Sequence, residues 1–313
     1  MNIIKDPRTD TEFAMRFRNG QSVVLGLTDI PPDVETIHFV DASKDFEQLL
    51  EYPTVSAISI NNITMTAQAR RALQVASPQL ARLQWLQVWN CAKFDLELLS
   101  LFPAVQFLQL AHRNARGNDW SQLSLLPRLN GLFLVDATGM ADLGFCAHIG
   151  GKLSTLSVLG ARSLKTTAGV EHLSGSLMNL ALWGGREHPS RKRLGPIKLS
   201  AIEALKRLQS LSVSGLEFDT AELGKVVRKL KRLAELELDP WQFEMSTYAQ
   251  LRMMLPNVQS AALQPFVDAG DSLLPVGKGT KTLQRSSANF NEQYARYLMS
   301  WKDASRAGGP SIV

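Results

Sequence analysis

The sequence predicts an α/β solenoid, in which a curved parallel sheet forms the concave face and short helices or turns form the convex face. Two observations support this fold class. An aliphatic pattern, L-x-x-L-x-L, returns about every two dozen residues between Val34 and Leu263. In five of these units a proline stands two residues before the first aliphatic residue. Proline removes an N–H and disfavours helix in the residue before it, so helix, proline, strand and turn alternate. This order gives parallel strands joined by short crossovers.

The pattern occurs ten times. Each unit can bury its aliphatic side chains only against its neighbours, so the repeat predicts one elongated domain. A closed eight-fold barrel is the structural rival, but it requires longer strands and helices in each unit. The ten copies begin at Val34, Val55, Leu83, Val105, Leu129, Leu153, Leu177, Leu208, Leu233 and Val258.

The repeat resembles the leucine-rich repeat superfamily over residues 31–266. The resemblance rests on L-x-x-L-x-L and on a small or apolar ninth position, which is Cys91, Ala137, Ala161 or Gly185 in four of the units. Members of that family commonly carry Asn or Cys at this position, and here only Cys91 matches. The resemblance implies a short strand on the concave face of each unit and a helix or 3₁₀ turn behind it. The resemblance does not imply one function, but by analogy with what such repeats do we expect a protein-binding module such as an inhibitor, immunity or adaptor protein.

Three regions follow from this organisation. Residues 1–30 are predicted to form an N-terminal β-hairpin cap, because alternating apolar residues flank an Asn-Gly turn. Residues 31–266 form the solenoid. Residues 267–313 contain a linker, a helix at 291–304 and a disordered tail. An apolar stripe on that helix predicts a C-terminal cap, and the alternative is a helix that docks on a partner.

Polar residues before the convex segments predict where helices begin, because a side-chain oxygen at that position accepts from a free backbone N–H. The candidate capping residues are Thr66, Asp219 or Thr220, Ser246, and Ser200 paired with Glu203.

Composition narrows the class of protein. The chain has 313 residues, 45% of them hydrophobic, which is ample for a core. It has no long apolar run and no apolar leader, so we expect neither a membrane helix nor a signal peptide. Its two cysteines lie in different units and predict no disulfide, so we expect a cytoplasmic location. The net charge is +5, but the basic residues are dispersed or follow a helix face at 225–232, so nucleic-acid binding is not favoured.

The sequence contains no recognisable catalytic motif. It has no metal-binding histidine pattern and no nucleophile elbow. Its one phosphate-loop-like segment, at 277–280, is not framed by a strand and a helix. We therefore expect a protein without catalysis, metal or cofactor.

The candidate binding site lies on the concave face. The aliphatic residues of each repeat face the core, and alternation turns the residues between them outward. We expect an exposed aromatic patch in the middle of this face, since exposed rings commonly mark interfaces. The alternative is that another part of the chain covers the rings. The predicted partner-binding residues are Trp85, Gln87, Trp89, Phe107, Gln109, Phe133, Trp183, Glu235, Glu237 and Asp239.

The predicted face runs from aromatic, through a serine triplet, to acidic. This order suits a protein partner with an apolar knob and a basic flank. A carbohydrate or nucleic acid stacked on the rings is a second possibility, and a substrate-recruiting subunit of an enzyme complex is a third. The basic loop at 186–193 follows Trp183 and is predicted to be an insertion near the groove or a solvated loop.

Overall fold

Nine short parallel strands form one open sheet. A computed structural model describes residues 35–40, 46–111, 119–149, 152–185, 195–264, 266–268 and 273–277. Within these residues each strand pairs with the next in the chain, in the order β1 to β9. The strands are β1 (Thr36–Val40), β2 (Ala57–Asn61), β3 (Trp85–Trp89), β4 (Phe107–Ala111), β5 (Gly131–Val135), β6 (Thr155–Leu159), β7 (Asn179–Trp183), β8 (Ser210–Ser214) and β9 (Glu235–Leu238). The predicted fold class, a parallel solenoid, is confirmed.

The convex side consists of short helices, one or two between successive strands. The α-helices are α1 (Ala67–Val75), α2 (Ser77–Leu80), α3 (Thr220–Lys229) and α4 (Met245–Met254). The 3₁₀ helices span Phe46–Glu51, Leu96–Leu101, Trp120–Leu125, Gly144–His148, Val170–Leu173, Ser200–Ala204 and Ala261–Leu263. A two-stranded antiparallel sheet follows, formed by β10 (Phe266–Asp268) and β11 (Leu273–Pro275).

Three predicted elements lie outside the described residues. They are the hairpin within residues 11–28, the basic loop at 186–193 and the C-terminal helix at 291–304.

The tenth unit differs from the prediction. Its segment makes a single parallel bridge, from Gln259 to Glu235, and then turns into the 3₁₀ helix Ala261–Leu263. On the edge of this segment that faces away from β9, the Val258 carbonyl already accepts a hydrogen bond from the Arg252 guanidinium at 3.1 Å. The tenth unit therefore ends the sheet without adding a tenth strand.

One continuous core lies between the sheet and the convex helices. The aliphatic residues of the repeat point into it, as the alternation predicts. Leu132 and Leu156, at the same position of adjacent strands, are completely buried. The predicted basic face of α3 is also confirmed, since Lys225 and Arg228 are exposed while Val226 is buried.

Most of the strands end at a residue with a left-handed backbone. The φ angles are 56° at Asn62, 50° at Asn90, 55° at Asp136, 73° at Gly160 and 62° at Gly215. Only Gly adopts this conformation freely, and Asn and Asp tolerate it better than other residues do. These residue types therefore turn the chain away from the sheet at a fixed point of each unit.

The predicted helix caps are partly right. Thr66 caps α1 by accepting from the Ala69 N–H at 3.2 Å, and Asp219 caps α3 by accepting from Ala221 at 2.8 Å. Ser246 is wrong as a cap, because α4 begins at Met245 and Glu244, two residues before Ser246, is in the capping position.

The capping box of Ser200 and Glu203 is also wrong. Glu222 of the next unit accepts from the N–H groups of both Leu199 and Ser200, each at 3.0 Å. This leaves Glu203 to pair with Lys229 at 2.6 Å. Glu222 of the neighbouring coil therefore supplies the carboxylate cap that the local spacing predicted for Glu203.

Both cysteines are free and buried, as the sequence predicts. The Cys91 thiol lies 3.2 Å from the carbonyl oxygen of Ile60 in the preceding unit, to which it donates. Cys91 thus links adjacent coils at the ninth position of the repeat. Burial raises the pKa of Cys91 from 9.0 to about 11, and burial also raises the pKa of Cys146.

We predict that shortening core leucines destabilises the protein much more than shortening a concave-face serine. Leu132→Ala and Leu156→Ala each leave a cavity and should lower the free energy of unfolding by about 2–5 kcal/mol. Ser212→Ala removes one hydroxyl from the other side of the sheet and should change it by under about 0.5 kcal/mol. Denaturant melts measure all three. Equal losses would contradict the assignment of the two faces.

We predict that the contribution of Cys91 to stability falls as the pH rises from 9 to about 11. Below pH 9 the thiol is protonated in both states. Above it the unfolded thiol ionises first, because the folded pKa is the higher one, and this favours unfolding. Comparison of wild type with Cys91→Ala in denaturant melts across this range isolates the effect. A difference between the two proteins that is constant with pH would contradict it.

Candidate functional site on the concave face

The strands are paired without a slip in register, so equivalent side chains form straight rows across the concave face. One row contains Trp85, Phe107 and Gly131 in β3, β4 and β5. The next row contains Gln109 and Phe133 in β4 and β5. Trp85 and Phe107 are therefore direct neighbours, while Phe133 lies one alternation further along its strand.

Three rings, Trp85, Phe107 and Phe133, form an aromatic strip on this face. The rings of Trp85 and Phe107 are stacked, with centroids 4.0 Å apart and planes inclined by 16°. Gly131 creates the space beside them. A Cβ atom at Gly131 would lie 2.7 Å from Cδ1 of Phe107. Ala57, on the other side of Trp85, is the second small residue of the cluster.

The aromatic strip is less exposed than the sequence predicts. Trp85 and Phe133 are each only 4% exposed, while Phe107 is half-buried. The expectation that all three rings are open to a partner is therefore wrong. Alternation assigns a side chain to one face of the sheet, but it does not determine how closely the rings pack on that face. Two small neighbours, Ala57 and Gly131, leave room for Trp85 and Phe107 to stack on each other.

A chain of polar side chains runs beside the aromatic strip. The Ser59 hydroxyl donates to Oε1 of Gln87 at 2.6 Å, and Nε2 of Gln87 donates to Oε1 of Gln109 at 2.8 Å. These bonds connect three consecutive strands. They hold the predicted site residues Gln87 and Gln109 in fixed orientations, with both side chains half-buried.

The residues in the middle of the concave face have small side chains. We name Ser157, Ala181, Ser210 and Ser212, on strands β6 to β8, the serine trough. Ser157, Ala181 and Ser212 are direct neighbours in one row, and all four residues are buried. The row beside them contains Asn179, whose Nδ2 donates to Oγ1 of Thr155 at 3.2 Å.

Two tryptophans lie at the carboxyl ends of strands. Trp89 ends β3 and Trp183 ends β7, and both are half-buried, so part of each indole is accessible. Gly215 lies close to Trp183, since a Cβ atom there would be 3.4 Å from the indole nitrogen.

Carboxylates follow the serine trough at the last strand. Glu235 is paired with Ser210, and Glu237 with Ser212. Glu235 is half-buried and Glu237 is exposed, and we name this pair the acidic edge. The third predicted carboxylate, Asp239, has a structural role, because it accepts from the N–H of Trp241 at 3.1 Å and holds a turn.

The turn after Asp239 contains a residue that the sequence analysis missed. Tyr248 is completely buried, and its hydroxyl donates to the Asp239 carbonyl and accepts from the N–H groups of Gln242 and Phe243. Burial raises the pKa of Tyr248. No local pattern indicates this contact, because a buried tyrosine on a helix can equally be a packing residue.

The described residues contain no cluster of three or more His, Cys, Asp or Glu side chains that could hold a metal ion. Nor does any helix in that part of the chain have the length and apolar character needed to cross a membrane.

Repeat, register and layer order together define the architecture as a leucine-rich repeat solenoid. Its candidate site is a concave sheet surface that consists of an aromatic strip, a serine trough and an acidic edge.

Comparison with known proteins finds likeness in structure alone. No profile of a known protein family matches the chain, and no curated protein sequence matches it. Among solved structures, an internalin from Listeria monocytogenes is 14% identical with a TM-score of 0.42, covering 77% of this chain and 69% of its own. Rad7, solved with Elc1 from yeast, is 16% identical with a TM-score of 0.33, covering 72% and 75%. A leucine-rich repeat protein of Leptospira interrogans is 13% identical with a TM-score of 0.19, covering 67% and 90%.

We predict that Gly131→Ala disrupts the aromatic strip. The added Cβ would lie 2.7 Å from the Phe107 ring, which must move away from its stacking position on Trp85. We expect a loss of about 1–3 kcal/mol in the free energy of unfolding and a change in tryptophan fluorescence. Gly175→Ala is the matched control, because nothing lies within 4 Å of its Cβ position. An unchanged fluorescence spectrum in Gly131→Ala would contradict the packing described here.

Proposed function

We propose that this protein is a non-catalytic protein-binding module and that its partner docks on the concave face. One observation carries the proposal. Partly exposed aromatic side chains and an exposed carboxylate lie on one continuous sheet, in rows fixed by backbone pairing. A binding surface on regular strands loses little freedom when a partner docks, and this favours affinity.

Within this surface the aromatic residues divide into two roles. Trp89, Phe107 and Trp183 are half-buried and supply accessible apolar area. Trp85 and Phe133 are buried, and of these three rings they pack against Phe107. Tryptophans that combine an anchored ring with an accessible edge are typical hot spots of protein interfaces.

Polar residues complete the proposed interface. Gln87 and Gln109 are oriented by their mutual hydrogen bond and offer amide groups beside the rings. Glu235 and Glu237 provide negative charge at the far side, where rim carboxylates act mainly on association rate and partner choice. Asp239 contributes through the turn that it holds.

Two features favour a protein over the alternative ligands. A sugar or a nucleic-acid base requires an open ring face, but the face of Trp85 is already stacked on Phe107. The acidic edge repels polyanions. As the biological form we propose an inhibitor, immunity or adaptor protein in a reducing compartment such as the cytoplasm. Each of these roles requires occupation of a target rather than chemistry, and the free thiols suit that compartment.

We predict that replacing the accessible tryptophans weakens partner binding while the fold persists. The partner is captured from native lysate on the full-length protein, identified by mass spectrometry and titrated calorimetrically. Trp89→Ala with Trp183→Ala should weaken binding by at least about 2 kcal/mol. Circular dichroism checks that the double variant is folded.

The matched control is Leu50→Ala with Val75→Ala. These residues are 48% and 50% exposed and lie on convex helices, so their replacement should leave binding unchanged. The proposal is wrong if the tryptophan variant binds normally and the convex variant does not.

A further inference from the structure

We infer that a row of exposed cations along the amino-terminal edge of the sheet binds an acidic segment of a protein. This row lies beside the concave face rather than on it, so the inference goes beyond the proposed function. Its members are far apart in the sequence, and the register of the repeat brings them into line. We name the row the basic rim, and it consists of Arg82, Arg128, Lys152, Arg207, Lys231 and Arg232.

The members of the basic rim occupy equivalent positions in different units. A turn closed by a backbone hydrogen bond of 3.1 or 3.2 Å leads into four of the strands. An arginine is the third residue of each of these turns. The four arginines are Arg82, Arg128, Arg207 and Arg232. Lys152 directly precedes the first aliphatic residue of its unit, as these arginines do.

The backbone ladder of the sheet fixes the spacing of the rim. The ladder continues into the residue before each strand, so that the Ala234 N–H donates to the Gln209 carbonyl at 2.8 Å. These two residues stand two positions after Arg232 and Arg207. Equivalent residues of adjacent units are therefore about 4.8 Å apart at this edge. Six strand steps separate the first and the last unit of the rim, or about 29 Å.

No carboxylate accompanies the cations of the rim. The eight segments that lead from a convex helix into β2 to β9 contain no Asp or Glu, although these make up 29 of the 313 residues. Among the residues that the structure describes, no carboxylate forms an ion pair with a member of the rim. The Arg207 guanidinium donates to the Gly175 carbonyl at 3.1 Å, which orients the group and leaves its charge without a counterion. All six side chains are exposed.

The cations of the rim repel one another in the free protein. Arg207, Lys231 and Arg232 lie in two adjacent units, within the screening length of about 8 Å at physiological ionic strength. A carboxylate placed among them would replace this repulsion by attraction. Four of the six members are arginines, and a guanidinium can donate two parallel hydrogen bonds to one carboxylate. The complementary ligand is therefore a series of carboxylates.

An acidic polypeptide matches the rim better than a nucleic acid does. An extended peptide with a carboxylate at every second residue places one about every 6.6 Å along one side, close to the mean spacing of six cations over about 29 Å. Duplex DNA carries one charge per about 1.7 Å of its axis, far more than the rim can neutralise. Single strands need aromatic rings for their bases. The accessible Trp89 and Trp183 end their strands and so lie at the opposite edge of the sheet.

Synthetic peptides test the inference directly. The probe is a fluorescent peptide of about ten residues with Glu at every second position and Ser or Gly between. A matched peptide carries Gln in place of each Glu. Binding to the full-length protein is followed by fluorescence anisotropy at low and at physiological ionic strength. We expect the Glu peptide to bind at least about tenfold more tightly at low ionic strength, with a smaller preference at the higher one. Equal affinity for the two peptides overturns the inference.

Charge reversal on the rim locates the preference. Arg128→Glu with Arg207→Glu and Arg232→Glu should weaken binding of the Glu peptide by about tenfold or more at low ionic strength. Circular dichroism checks that the variant is folded, which we expect because the three side chains are exposed. Unchanged binding in the folded variant overturns the inference.

A matched control variant separates the rim from the net charge of the protein. Arg71→Glu with Arg162→Glu and Lys165→Glu changes the net charge by the same amount. These residues are also exposed, but they lie on the convex helix α1 and in the segment after β6. The control should weaken binding by less than about threefold at physiological ionic strength, because charges beyond the screening length act weakly. An equal loss in both variants overturns the assignment to the rim.

The rival occupants of the rim are tested in parallel. A short DNA duplex that binds more tightly than the Glu peptide, and is lost in the rim variant, overturns the inference in favour of a nucleic acid. A carbodiimide joins amines to carboxylates in contact. Bonds in the free protein from Lys152 or Lys231 to a carboxylate of the same chain, or of a second copy, show that the rim is already occupied and overturn the inference. Bonds to the added Glu peptide support it.

The captured partner separates the inference from the proposed function. Normal partner binding by Trp89→Ala with Trp183→Ala contradicts the proposed function but leaves the peptide preference, and so the inference, standing. Normal binding of both the partner and the Glu peptide by the rim variant overturns the inference and leaves the concave face as the proposed site.

Discussion

The pairing of nine parallel strands in one register is the constraint on which every other feature depends. Each strand exchanges hydrogen bonds with the next, so a residue at a given position in one unit lies beside its equivalent in the following unit. The aliphatic positions thereby become one core, and the positions between them become rows on the concave face. A slip of one residue in any strand would exchange the two sets. The stability of the core and the arrangement of side chains on the concave face therefore depend on the same strand register.

The same register makes a large residue dependent on a small neighbour. Phe107 lies flat against Trp85 because Gly131, the next residue in the row, has no side chain. Further along the sheet every member of the row from Ser157 to Ser212 is small, and all three side chains are buried. The relief of the concave face thus follows from the order of side-chain sizes along each row.

The sequence predicts the strands well because the leucine pattern and the preceding prolines encode them locally. Leu132 and Leu156 are buried as expected, and Asp219 caps its helix as expected. Features that depend on two units are harder to predict. Glu222 replaces the expected capping box of the preceding unit, which only the stacking of coils reveals. The tenth unit has a repeat pattern but makes no strand, because Arg252 and the following turn occupy its edge.

The candidate site shows the same difference between features encoded within one unit and features that depend on two units. Alternation correctly assigns Trp85, Gln109 and Glu237 to the strands and rows that they occupy. It does not predict that Trp85 is buried, since burial depends on the contacts that the ring makes with residues of other strands. Comparing residues across units, rather than along each unit, is the signal that identifies both the small neighbours of the rings and the position of Ser157.

The residues with left-handed backbone that end the strands have a consequence for how a repeat protein can evolve. Asp136 and Gly160 stand at equivalent points of adjacent units and have the same backbone conformation, with φ angles of 55° and 73°. The chain therefore enters and leaves the intervening segment in the same direction. Duplication or deletion of that segment by recombination would preserve both junctions and would shift every later row by one strand, or about 4.8 Å. The concave face would then lengthen or shorten in whole strand steps, without point mutations in the remaining strands.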